Sequence, residues 1–227
     1  MLPVFQFQRR APGIGWWKAM FWWVIMIWKL RLLLYICYRT HRKGLENIPR
    51  TGPLLIVANH QSNLDPAIVG VAVSDRPFHG IARETLFKSR LLAWYMRGFG
   101  VIAIKRGESD VVAIRKAITE LDAGRCVMMF PEGTRSKDGN MGKFQRGFWL
   151  LMKRSKATIL PVGFDGAFDV NPMGSKPKLF GRIEVSVGKP IASNELLALG
   201  EGEGTALVKS RIQELMEVSR ATINARS

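Results

Sequence analysis

From residue 44 onward, short apolar runs alternate with stretches of helical period. Residues 54–58, 78–82, 101–104, 126–130, 158–162 and 183–187 read as strands. Several are apolar throughout, which predicts burial on both faces and a largely parallel sheet. Between them the period lengthens. Ser109 suits the cap of a helix running to Ala123, with Ile114, Ala117, Ile118 and Leu121 at core spacing and Gly124 just past its end. A second helix is expected over 143–156, with Phe144, Phe148 and Leu151 on one side. The alternation predicts an α/β fold, a largely parallel sheet with helices on both faces. The GEGEG segment at 200–204 reads as a flexible break, after which Val208, Ile212, Leu215 and Met216 mark a final amphipathic helix. The organisation expected is an N-terminal segment at 1–43, an α/β domain at 44–192 and a helical C-terminal segment at 193–227.

Before residue 44 the pattern differs. Ten apolar residues (19–28) are followed by Lys29-Leu30-Arg31 and then seven more apolar positions (32–38). Charge sharpens the contrast: the 227 residues hold 34 basic and 18 acidic side chains, a net +16. Residues 1–50 carry nine basic residues against the single acid Glu46, and five of the seven tryptophans. Bases mixed with tryptophan mark a membrane–water interface with anionic head groups. Nucleic acid would explain the arginines but not the run AMFWWVIMIW, so the partner expected is the membrane, with no nucleic acid. Two central cations cost roughly 5–7 kcal/mol of insertion, nearly cancelling the gain of about 0.3–0.6 for each strongly apolar residue. Lys18 and Lys29 return to nearly one helix face with Trp22 and Ile25 between them. That stripe favours a helix half-immersed in one leaflet over 14–40, peripheral or monotopic; a single span of 16–38 is the alternative. No small-x-small cleavage site follows, which argues against a signal peptide.

The overall hydrophobic content of 47% excludes disorder. Two cysteines make no disulfide framework, and three histidines argue against a zinc site, so no metal and no bound cofactor are expected. The compartment expected is a reducing one.

Chemistry is sought where open α/β sheets place ligands, at strand ends. Two segments share one design, a strand followed by a polar turn: LLIVA before NHQSNLDP (59–66), and CVMMF before PEGTRS (131–136). His60 and Asp65 are five residues apart and would lie ~140° from each other on a continuous helix. Pro66, however, suits the first helical position and Asp65 the cap before it, so the intervening turn can fold the imidazole back to the carboxylate. Such a pair deprotonates hydroxyls. The competing reading leaves Asp65 a cap and His60 a turn residue. In the second segment Gly133 permits close backbone approach and Arg135 offers a fork matched to phosphate. Glu132 could hold that arginine or accept a substrate hydroxyl. Cys126 reads as core within its strand, and His79 has no evident partner.

H-x-x-x-x-D after one strand and F-P-E-G-T-R-S after a later one resemble the glycerolipid acyltransferase family, over roughly residues 44–190. GVIAIKR (100–106) and LPVGF (160–164) resemble its second and fourth blocks, and ARETL (82–86) puts Arg83 where the family often has lysine. The family's best-known members are the 1-acylglycerol-3-phosphate acyltransferases of bacterial membranes, and the basic aromatic segment before these blocks fits its short bacterial members. The resemblance implies a glycerol-3-phosphate acyltransferase-like fold and phospholipid biosynthesis at the cytoplasmic face of the inner (plasma) membrane. It implies His60 and Asp65 as catalytic residues. Arg106, Glu132, Gly133, Thr134, Arg135 and Arg83 would bind the acceptor's phosphate and glycerol, with Lys105 beside Arg106 as the competing cation, and Pro161 would shape the acyl site. The implied partners are lysophosphatidic acid and an acyl thioester, acyl-CoA or acyl-carrier protein. Another lysolipid or lyso-ornithine acceptor, or transacylation without a thioester, are the alternatives.

Overall fold

The computed structural model describes residues 13–104 and 110–226. Its strands are β1 (His41–Lys43), β2 (Leu54–Ala58), β3 (Phe78–Arg83), β4 (Ile102–Ile104), β5 (Cys126–Met129), β6 (Thr158–Asp165) and β7 (Glu184–Val187). They form one sheet in the order β1-β7-β6-β2-β5-β3-β4, in which only the β6–β7 pair is antiparallel. The helices are α1 (Trp16–Tyr38), α2 (Asp65–Ala72), α3 (Arg90–Gly98), α4 (Asp110–Asp122), α5 (Arg146–Ser155), the short α6 (Ala167–Val170) and α7 (Ser193–Ala225).

The central strand shows why an all-apolar run belongs here. Every residue of β2 is buried, flanked in register by β5 (Leu54 beside Cys126) and β6 (Leu54 beside Thr158). Leu54, Ile56 and Ala58 join one core, with residues of α1 and α2. Leu55 and Val57 join the other, with residues of α4, α5 and α7. The fold is therefore α/β, with a mostly parallel sheet covered on both faces.

Several boundaries depart from the sequence pattern for identifiable reasons. β1 was not expected, because His41-Arg42-Lys43 has no apolar alternation; it is an edge strand held by register with Glu184–Val187. α5 begins at Arg146 rather than 143, although Phe144 still packs edge-on against Phe148, 5.3 Å between rings. The expected flexible break at 200–204 narrows to one residue: Gly200 leaves the helix at φ 80° and ψ 175°, and the chain is helical again after it. Gly204 is held in close packing, since a Cβ there would sit 2.8 Å from the Leu196 carbonyl oxygen.

In α1, residues Ala19–Met26 wind as a π-helix, which shifts the phase of everything beyond. The expected stripe of Lys18, Trp22, Ile25 and Lys29 does not form. Lys18, Ile25 and Lys29 are exposed, but Trp22 is buried against Trp94, Tyr95 and Phe99 at ring distances of 4.6, 5.7 and 5.2 Å. One face of α1 thus docks on the domain through Trp22, Trp23, Ile27, Leu34 and Tyr38. The other shows Trp17, Val24, Trp28, Leu33 and Ile36 to the outside.

Candidate active site

β2 ends at Ala58, and the next side chain extends the sheet where its backbone does not. The Asn59 amide donates to the Phe164 carbonyl (3.0 Å) and accepts from the Phe164 N–H (3.1 Å), fixing the point at which the chain turns away. His60 comes next. Its Nδ1 lies 2.6 Å from Asp65 Oδ2, and its ring stacks on Phe130 with centroids 4.2 Å apart and planes 14° from parallel. The His60 side chain is 20% exposed while Asp65 is wholly buried. Nε2 has no partner among the described residues.

Asp65 was expected to cap the helix that Pro66 opens. It is instead the first residue of α2, and its carboxylate reaches back into the turn. Oδ2 accepts from the Gln61 N–H (2.5 Å) and the Ser62 N–H (2.7 Å) as well as from His60. Burial pushes this carboxyl above its ordinary value; the bonds from His60, Ser62 and Gln61 pull it back. A carboxylate only accepts, so the proton between the two groups sits on Nδ1 and Nε2 is left as the basic nitrogen.

The second turn is stitched to the first. Glu132 Oε1 accepts from the His60 N–H (2.8 Å) and Oε2 from the Gly142 N–H (2.7 Å). Its two oxygens thus brace backbone, where the sequence suggested a grip on Arg135 or a substrate hydroxyl. Burial raises the Glu132 carboxyl, and the two amides partly offset this. The Ser136 N–H donates to the His60 carbonyl (2.7 Å), and Gln61 Nε2 to the Gly139 carbonyl (2.8 Å). Gly133 sits at φ 68°, which a side chain would strain. Thr134 is exposed. Arg135, half-buried beside Ser136, keeps its Nη1 buried with no hydrogen-bond partner among the described residues.

The remaining expected residues are dispersed. Arg83 closes β3, level with Ile104 of β4. Arg106, Lys105 and Ser109, the cap expected from sequence, lie outside the described residues. Pro161 is buried in β6, level with Val57 of β2. Cys126 is core, its thiol pushed up to about 11 by burial. His79 does have partners: Nδ1 meets the Gly100 carbonyl (2.8 Å) and Nε2 lies 3.3 Å from Glu120. Sequence reasoning missed Asn59 and Phe130. A polar residue directly after a fully apolar strand was the signal available for the first.

The family model described as Acyltransferase matches residues 39–165, a span that holds both turns. The chain belongs to the acyltransferase family. Among curated members, it is 33% identical over 162 residues to a chloroplastic 1-acyl-sn-glycerol-3-phosphate acyltransferase of Arabidopsis thaliana, covering 70% of this chain and 45% of the relative. It is 28% identical over 184 residues to the 1-acyl-sn-glycerol-3-phosphate acyltransferase of Streptococcus pneumoniae, covering 80% and 66%. The chain spans about half the length of the plant relatives it matches. The fold of this acyltransferase-family chain is similar to a crystal structure of the 1-acyl-sn-glycerophosphate acyltransferase of Thermotoga maritima. The TM-score is 0.72 at 24% identity, over 94% of this chain and 87% of that one.

Proposed function

We propose that the protein moves a fatty acyl chain from an acyl thioester, acyl-CoA or acyl-carrier protein, to the sn-2 hydroxyl of 1-acylglycerol-3-phosphate, giving phosphatidic acid. The observation that carries this reading is the His60–Asp65 contact of 2.6 Å on an imidazole whose other nitrogen has no partner among the described residues. His60 Nε2 takes the hydroxyl proton as the acceptor oxygen attacks the thioester carbonyl carbon. The buried Asp65 carboxylate stabilises the imidazolium. Collapse of the tetrahedral species breaks the C–S bond, and the thiolate leaves with the proton that His60 held. The path needs no acyl-enzyme, and Cys126, buried with a raised pKa, is no nucleophile. Arg135, with an unsatisfied guanidinium nitrogen next to this turn, supports a phosphate-bearing acceptor. Arg83 and Arg106 are its proposed helpers.

α1 supplies access to such a substrate. It has 23 residues, with a mean hydropathy of 1.6 over an 18-residue window, and is long and apolar enough to cross a membrane. With one face docked on the domain and the other apolar and exposed, it fits better along the cytoplasmic leaflet than through it.

The test is acyl transfer by the purified protein from a thioester to lysophosphatidic acid, glycerol 3-phosphate, a zwitterionic lysophospholipid and a lyso-ornithine lipid. Turnover of lysophosphatidic acid above the others is expected. Preference for a phosphate-free acceptor would remove Arg135 from its assigned role, and transfer that proceeds without thioester would make the protein a transacylase.

A further inference from the structure

Between α1 and the edge strand β1 lies a cavity of about 370 Å³ that shares no residue with the His60 site. Arg31 and Arg42 enter it from opposite elements, with Thr40 and His41 beside them and Trp28 and Tyr35 at its rim. The backbone brings this about at Arg39, a non-glycine residue in the left-handed region (φ 44°) whose N–H closes the helix on the Tyr35 carbonyl. The chain there doubles back, so that Thr40–Arg42 run beside the last turns of α1. Arg42 reaches the Val71 carbonyl, near the far end of α2 from Asp65 and about 9 Å along the helix.

Among the described residues each guanidinium makes one hydrogen bond and has donors to spare. Arg31 Nη2 donates to Ser74 Oγ (2.7 Å) and Arg42 Nη1 to the Val71 carbonyl (2.8 Å), while Arg31 Nε is buried with no hydrogen-bond partner among those residues. Burial and the charge of Arg31 both lower the Arg42 pKa, and Asp75 only partly restores it. Asp75 offsets the repulsion of these two partly desolvated charges only in part, and a bound phosphate would add to it. Guanidinium forks match the oxygens of a phosphate. The rim decides where that phosphate comes from: Trp28, Leu32 and Tyr35 are exposed and belong to the outward apolar face of α1.

We propose that this cavity binds the phosphate of an anionic membrane phospholipid whose acyl chains lie along α1, at a site separate from the acyl-transfer centre. The inference rests on the reading that the outer face of α1 lies in a leaflet, and the test separates the two.

Vesicle co-sedimentation of the full chain is measured on phosphatidylcholine alone and on phosphatidylcholine with phosphatidylglycerol. The wild type is expected to bind both and to prefer the anionic vesicles. Arg31→Gln keeps a donor for Ser74 and should lower that preference on the order of tenfold or more, as loss of a charge-assisted bond does. Lys29→Gln removes the same charge from an exposed position of the same helix and should cost roughly fivefold or less, the effect of one diffuse surface cation. Arg31→Lys keeps the charge but not the fork, and should also lower the preference. Its unfolding temperature, unchanged, excludes misfolding as the cause. Equal losses in Arg31→Gln and Lys29→Gln, or no loss in Arg31→Lys, would overturn the site. So would equal binding of the wild type to both vesicles, which leaves the anchor standing. Binding to neither would overturn the anchor itself. Millimolar soluble glycerophosphate should leave the preference intact; its abolition would assign the cavity to a free phosphate ester instead of a lipid.

Discussion

Replacing Glu132 with glutamine removes one acceptor from a place that needs two. The two carboxylate oxygens face two backbone donors, the N–H of His60 at 2.8 Å and that of Gly142 at 2.7 Å, and the residue is 4% exposed. Whichever way a glutamine amide turns, its NH2 faces one of those N–H groups. One donor, at half-buried His60 or exposed Gly142, then loses its bond to a charged group, at about 1–3 kcal/mol. The surviving bond loses its ionic character, worth roughly a further 1 kcal/mol. A total of about 2–4 kcal/mol is large against a typical stability of roughly 5–15 kcal/mol, yet the chain should still fold. For a protein of this size it corresponds to a fall in Tm of about 5–15 °C. Because the lost or weakened bond holds the backbone of His60, kcat should fall on the order of 100-fold while KM for the acceptor changes little. Thermal unfolding in detergent and acyl-transfer kinetics on the same preparation check both. A Glu132→Gln variant of wild-type Tm whose defect is confined to the acceptor KM would refute the bracing role and return Glu132 to the substrate.

Three further outcomes are expected. A Cβ at Gly163 would lie 2.6 Å from the Met216 nitrogen and 2.7 Å from the Ile212 oxygen, so Gly163→Ala should lift α7 from β6 at a cost of about 1–3 kcal/mol, read by denaturant unfolding. With its pKa raised to about 11, the Cys126 thiol is about one-thousandth thiolate at pH 8. Iodoacetamide should therefore leave Cys126 unlabelled in the folded protein and label it in denaturant, as peptide mass spectrometry can show. Arg135→Gln should raise the acceptor KM with little change in Tm, since among the described residues its buried Nη1 has no partner to lose.

The apolar runs were legible because burial on both faces leaves no polar position in a strand; residues 54–58 coincide with β2 for that reason. β1 was illegible because its pairing comes from β7 and not from its own side chains. The His60–Asp65 spacing was readable only with Pro66 as a helix start, and the structure brings the two together as that reading expected. The backbone-bracing use of Glu132 was hidden, because the sequence does not show that Gly142 returns to the turn. The phase of α1 was misjudged at Trp22, since π-turns leave no mark in an apolar run that a 3.6-residue period could detect. Phe130 could not be placed under the imidazole by any periodicity, because the two turns meet only when β2 and β5 pair.

The most direct test of the mechanism is single-turnover acyl transfer to lysophosphatidic acid by His60→Ala, with unfolding temperature and vesicle binding measured on the same sample. If His60 is the base, transfer falls on the order of a thousandfold or more while folding and binding are unchanged. A variant that folds, binds vesicles and still transfers acyl chains within about tenfold of the wild-type rate would contradict the mechanism.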